Sequence, residues 1–211
     1  MKSGKRQQNS EESLRARVIT EASQEFIKKG IKSVRMDDIA ALLSISKRTL
    51  YEIFNDKEEL LYDCVIHLHN EKKRKIEGVI KGADNIMEIV LRSFQFHINM
   101  FKTISPDFIF EVRKYSRIQQ YIANERDLNS QKVVEFFQKG VEQGFFRSDI
   151  NYELLVDWSR YQGDFMSMSD IYQKFPLEEI FKTMMYVNMR GISTEKGLKI
   201  LNDFKKQNDK R

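Results

Sequence analysis

From Glu11 onward, apolar residues return every three to four positions. Leu14, Val18, Ala22 and Phe26 form one stripe, with Ile19 and Ile27 beside it. That spacing predicts a helix, ended by Gly30 after Lys28-Lys29, whose charges suit the negative end of the helix dipole. Met36, Ile39, Ala40 and Leu43 predict a short second helix. Ser44-Ile45-Ser46 interrupts it, and the Ser46 hydroxyl is placed to cap a third helix. In the third helix Leu50, Ile53 and Phe54 share the buried face. At about 100° per residue, Arg48, Tyr51, Glu52 and Asn55 point away from it, with Lys47 and Thr49 on the flanks. Two short helices joined by a tight turn make a helix-turn-helix, and the small Ala40 lets them cross closely. Asn55-Asp56 then ends the third helix and caps a longer one. Leu60, Leu61, Cys64, Val65 and Leu68 carry its apolar face towards Ile80 and Gly82.

The remainder reads as further helices. Residues 83–103 are apolar nearly all round (Ile86, Ile89, Val90, Phe94, His97 and Phe101 on one stripe), the pattern of a centrally buried helix. Ser105-Pro106 starts a short helix, with proline in its first turn. A long one covers 117–143 before Gly144, and Phe145 and Phe146 fold back onto the core. Asn151 caps a helix with two faces: Leu154, Trp158, Tyr161, Phe165 and Met168 on one, Leu155, Gln162 and Met166 on the other. Pro176 opens the next, and Ser193-Thr194 caps the last. The expected fold class is therefore all-α, with about nine to ten helices. A polar tail (1–10), a helix-turn-helix domain (11–57), a connecting helix (58–82), a larger helical body (83–206) and a frayed tail (207–211) follow in order.

Composition agrees with long, uninterrupted helices: 9 glycines and 2 prolines are few breakers in 211 residues, and 15 Phe with 9 Met supply core. Net charge is +5, and residues 1–57 hold 12 Lys/Arg against 8 Asp/Glu while residues 58–211 hold 24 against 23. The excess sits on the side of the chain that carries the helix-turn-helix, as a nucleic-acid surface requires. The single cysteine excludes an intrachain disulfide and reads as a small buried hydrophobe. No apolar run reaches the ~18–20 residues that span a membrane, and the N-terminus is too polar for a secretion signal. A soluble, cytoplasmic protein is expected. His67 and His69 are two residues apart and do not share a helix face, so no metal or other cofactor is predicted. No Ser-His-Asp arrangement or phosphate-binding glycine loop is present, which argues against an enzyme.

The string Ile39-Ala40, Ile45-Ser46, Thr49-Leu50-Tyr51, Phe54, Lys57-Glu58 and Leu60 resembles, in order and register, the DNA-binding segment of the tetracycline-repressor (TetR) family of transcriptional regulators. Two positions depart from the family pattern. Arg35 stands where a helix-capping Thr is usual, and Ser44 where the turn carries Gly. The resemblance implies a homodimer that binds a palindromic duplex DNA operator, in most cases as a repressor. It implies Lys47 and Arg48 at base edges and Thr49, Tyr51 and Lys57 on phosphates. Arg35, at the start of the second helix, has two readings: a solvated side chain or a further phosphate contact, with Asp37 and Asp38 opposing a very close phosphate.

Two expectations concern the larger body. The paired two-faced helices at roughly 151–170 and 177–190 suggest a four-helix interface between subunits, with Phe181, Met184, Met185 and Asn188 in it. Phe94, His97, Phe101, Tyr121, Trp158, Gln162 and Phe165 either pack as core or line a pocket for a small, hydrophobic effector. The competing functional reading is a helical lipid- or protein-interaction module whose helix-turn-helix is structural.

Overall fold

The computed structural model describes the backbone of residues 2–168 and 171–208 and the side chains of residues 12–164 and 171–207. The fold is all-α. Among the described residues there are eleven helices: α1 (Lys2–Lys29), α2 (Met36–Leu42), α3 (Lys47–Ile53), α4 (Lys57–Lys81), α5 (Ile86–Phe101), α6 (Pro106–Val112), α7 (Ser116–Glu142), α8 (Tyr152–Met168), α9 (Ile171–Lys174), α10 (Leu177–Ile192) and α11 (Glu195–Asn208). The one beyond expectation is α9, whose four residues are too few to show a period. Helix α1 starts at Lys2, whereas the polar residues 1–10 were expected as an unfolded tail. Residues 5–13 hold Lys, Arg, Gln and Glu but neither Gly nor Pro, so nothing in them breaks the helix that the apolar stripe establishes. Of the expected C-terminal tail, residues 209–211 lie outside the described residues, as do the side chains of Phe165 and Met168.

The chain forms two compact units, residues 1–74 with 104–120 and residues 75–103 with 121–211. In the first, Val18, Ala22 and Phe26 of α1, Ile39 and Ala40 of α2, Leu50 of α3 and Leu60, Leu61 and Cys64 of α4 are buried together with Phe54. Residues 104–120 belong to this unit, although chain order alone assigns them to the larger body. The Ser105 N–H donates to the Ile27 carbonyl at 2.8 Å, and the Lys32 N–H donates to Glu111 Oε2 at 2.8 Å. Gly30 makes that packing close: its φ is +79°, and a Cβ there would stand 2.9 Å from Asp107 Cβ.

In the second unit Ile86, Met87 and Val90 of α5, Val134 of α7, Phe145, Phe146, Tyr152 and Met189, Ile192 and Leu201 form one core. Gly140 lets Phe146 lie on α7, since a Cβ would come within 2.1 Å of the ring. Asn151 caps α8 by accepting from the Leu154 N–H at 3.0 Å, and Thr194 Oγ1 accepts from the Gly197 N–H at 3.3 Å at the start of α11.

Candidate nucleic-acid interface

The helix-turn-helix is fixed by polar side chains as much as by its apolar face. Ser46 Oγ accepts from the Thr49 N–H at 3.0 Å, capping α3, and lies 2.8 Å from Thr49 Oγ1. With no Thr at position 35 to accept from the first turn of α2, only the reciprocal half of a capping box forms: the Asp38 carboxylate accepts from the Arg35 N–H at 2.8 Å. Ser44 adopts φ +55°, the left-handed conformation that favours glycine, and bears the strain of about 1–2 kcal/mol that a side chain incurs there. At the start of α4, Asp56 Oδ1 accepts from the Glu59 N–H, and Glu59 Oε2 accepts from both the Asn55 N–H and its side-chain amide, each at 2.8 Å.

Two arginines of α1, not foreseen from the sequence, hold this frame. Arg15 donates to the Ile53 carbonyl at 2.7 Å, pairs with Asp63 at 2.6 Å and lies 4.3 Å above the Phe54 ring. It thereby fixes the end of α3 to α1 and α4 at once. Arg17 donates to the Leu43 carbonyl at 2.8 Å and closes the end of α2. Both flank the Leu14–Val18 stripe. Periodicity marks them as solvent-facing and carries no sign of the orphan carbonyls they satisfy.

On the outward surface, Lys47, Arg48 and Tyr51 are exposed and Thr49 is half-buried. The Arg48 side chain is 89% exposed, and its Nε is 3.0 Å from Glu52 Oε1. Lys47 Nζ is 2.7 Å from Asp37 Oδ1 and 3.0 Å from Oδ2, a pairing that pushes its pKa up. Arg35 is exposed at the head of α2. Lys57 is placed differently from the others: its ammonium donates back to the Ile31 carbonyl and lies 5.8 Å above the Phe26 ring, and burial pushes its pKa down. The charge is also distributed otherwise than the sequence total implied. Residues 35–55 hold three cations (Arg35, Lys47, Arg48) and three anions (Asp37, Asp38, Glu52), whereas residues 1–10 hold three cations (Lys2, Lys5, Arg6) and no acid.

Of the residues expected around an effector, three are seen packed with one another. Phe94, His97 and Phe101 do cluster, but their partner is Phe181, with ring centroids 5.6, 5.4 and 5.1 Å away respectively. Tyr186 and Phe204 complete the packing around Phe94. His97 Nδ1 is 2.7 Å from the Ser93 carbonyl. The depression lined by Val90, Phe94, Met185 and Tyr186 is too small to hold a water molecule. Tyr121 is half-buried on α7. Trp158 is 57% exposed, and Gln162 Oε1 accepts from Asn188 Nδ2 at 3.4 Å. Phe165 lies outside the described side chains.

The expected interface residues divide in the same way. Phe181 and Met185 are turned to their own chain's core, Asn188 is engaged with Gln162, and Met184 is half-buried. A helix with two apolar faces gives no sequence sign of which one meets the chain's own core. The side chains left outward are Leu154, Trp158 and Tyr161 of α8 and Val187 of α10, 57–66% exposed. Among the described residues no group of His, Cys, Asp and Glu could hold a metal ion, and no helix is long and apolar enough to cross a membrane.

Residues 18–64 match the family described as bacterial regulatory proteins, tetR family. Over 123 residues the chain is 32% identical to an uncharacterized HTH-type transcriptional regulator, YhgD, of Bacillus subtilis (strain 168), and the match covers 58% of each chain. The chain thus spans 58% of the length of that curated relative. Among solved structures, a putative transcriptional regulator from Saccharomonospora viridis in complex with choline superposes with a TM-score of 0.70 over 87% of this chain and 100% of that one, at 16% identity. A TetR-family regulator from Cytophaga hutchinsonii gives 0.68 over 88% and 98%, at 13% identity. At these identities the likeness is one of fold.

Proposed function

Since the chain belongs to the tetR family of bacterial regulatory proteins, we propose that it is a transcriptional regulator, probing the major groove of duplex DNA with α3. The observation that carries this reading is α3 itself: capped by Ser46, fixed at its end by Arg15, and presenting Arg48 and Lys47 on its outward surface. Arg and Lys are the side chains that pair with guanine O6 and N7. Thr49, Tyr51 and Arg35 stand beside them for phosphates. Lys57 serves the frame first, because its ammonium is already held by the Ile31 carbonyl.

One seven-residue helix reads too few bases for useful specificity, so two copies act together on a palindromic operator with half-sites about one turn apart or a multiple of it. The outward faces of α8 and α10 form the homodimer interface, with Leu154, Trp158, Tyr161 and Val187 at its centre. Residues 11–57 read DNA, residues 58–82 connect, and regulation falls to the rest of 83–206, apart from 104–120, which pack with the first unit. Repression is relieved by a small hydrophobic effector that enters by displacing side chains of the Phe94–His97–Phe101–Phe181 cluster. It acts only through preference for the conformation that misplaces the two recognition helices.

Selection from random duplex DNA, coupled to light scattering, tests this reading. A palindromic consensus bound by a dimer is expected, and Trp158→Glu or Val187→Glu should give folded monomers that bind it poorly. A wild-type monomer at micromolar concentration, or no enriched sequence, contradicts it.

A further inference from the structure

The two cations proposed to read bases are not equally available. Arg48 meets Glu52 through Nε, which leaves the terminal guanidinium nitrogens, the ones that form a bidentate pair with guanine, outside that contact. Lys47 meets both carboxylate oxygens of Asp37 with its one charged nitrogen. Asp37 belongs to α2, ten residues away, so this pair ties together the two helices of the motif at their exposed edge. The surface around it carries as many anions as cations over residues 35–55. While it holds that carboxylate, the Lys47 charge is already compensated, so it contributes less to binding a DNA phosphate.

Resting on the DNA-binding reading above, we infer that Asp37 sets the affinity for DNA, an internal anion that competes with the duplex for Lys47. It lowers the affinity for any duplex and leaves sequence discrimination to Arg48. Generic phosphate binding is a term that every duplex shares, so Asp37 weakens binding to all of them and leaves their ratio to the base contacts.

The test is a cycle of four proteins: wild type, Asp37→Asn, Lys47→Ala and the double variant. Binding is measured on the selected duplex and on a scrambled one across a salt series. Asp37→Asn is expected to bind both duplexes about two- to fivefold tighter, the range set by an exposed ion pair. The plot of log K against log salt should steepen by up to ~0.9, the increment for one more phosphate neutralised. In the Lys47→Ala background the same substitution should change neither quantity. Melting temperatures report the structural part separately: loss of the Asp37 charge at the start of α2 lowers them in both backgrounds, and loss of the tie to Lys47 adds to this only where Lys47 is present. The inference is overturned if Asp37→Asn leaves affinity and slope unchanged, or if the gain persists without Lys47. Failure of the wild type to bind any duplex overturns instead the DNA-binding reading beneath it.

Discussion

Both units tie helices with side chains that reach distant backbone groups, as Arg147 does to Gly191 and Lys196 to Gln143 in the second, and the second adds clusters of packed rings. In the first, side chains reach backbone groups across the chain: Arg15 to Ile53, Arg17 to Leu43, Lys57 to Ile31. In the second, rings pack on rings: Phe94 against Phe181, Tyr186 and Phe204, and Phe137 against Phe146 and Tyr152. A charged fork that satisfies a named carbonyl sets a helix end in one place. A ring cluster instead shares its hold among many weak contacts, stacked, tilted and edge-on. Reading DNA demands the first property. The effector proposed above would call on the second.

The largest effect that sharpens this contrast is expected inside the ring cluster. Phe94→Ala should lower unfolding free energy by about 3–5 kcal/mol, measured by denaturant titration. A loss below about 1 kcal/mol would mean that the cluster is already loosely packed.

Next in size is a pH effect in the first unit. Burial pushes the Cys64 thiol up to about 12 from an ordinary value of 9.0. Between these values the unfolded chain has lost a proton that the folded chain keeps, so stability falls as pH rises through the window. The slope is at most ~1.4 kcal/mol per pH unit. Cys64→Ala should remove that part of the slope, read as the difference between the two proteins' stability curves. In native protein near pH 8, Cys64 should resist alkylation.

Arg15→Ala should cost roughly 1–3 kcal/mol, because it leaves the Ile53 carbonyl and Asp63 without this donor. DNA affinity should fall further than stability accounts for, since the end of α3 is released. If affinity is unchanged in a folded Arg15→Ala protein, the fork is not what positions α3. The smallest effect is a gain: Ser44→Gly relieves the positive φ, offset in part by the freer unfolded chain, and should stabilise by no more than ~1 kcal/mol.

Much of the first unit could be read in the sequence because its signals are local. Ser46 as cap, Asn55-Asp56 at the next helix start, the strained Ser44 and the terminator Gly30 all act within a few residues of themselves. Arg15 and Arg17 escaped notice because their partners lie 38 and 26 residues away. In the second unit the helices were evident but their faces were not. Phe181 and Trp158 both sit on apolar stripes, yet Phe181 meets the aromatic cluster and Trp158 is exposed. Periodicity reports that a face is apolar and is silent on whether its partner is the same chain or another. Net charge misled for a related reason. It counted Lys2, Lys5 and Arg6 with the helix-turn-helix, although residues 35–55 are neutral.

The central claim is that α3 reads bases through Arg48. Its most direct measurement is the ratio of affinities for the selected duplex and a scrambled one, wild type against Arg48→Ala, at a single fixed salt concentration. The account predicts that the ratio falls by about 5- to 150-fold, equivalent to the ~1–3 kcal/mol of a bidentate base contact, while affinity for the scrambled duplex drops much less. An unchanged ratio, with both affinities reduced together, would reduce Arg48 to a phosphate contact and contradict the account.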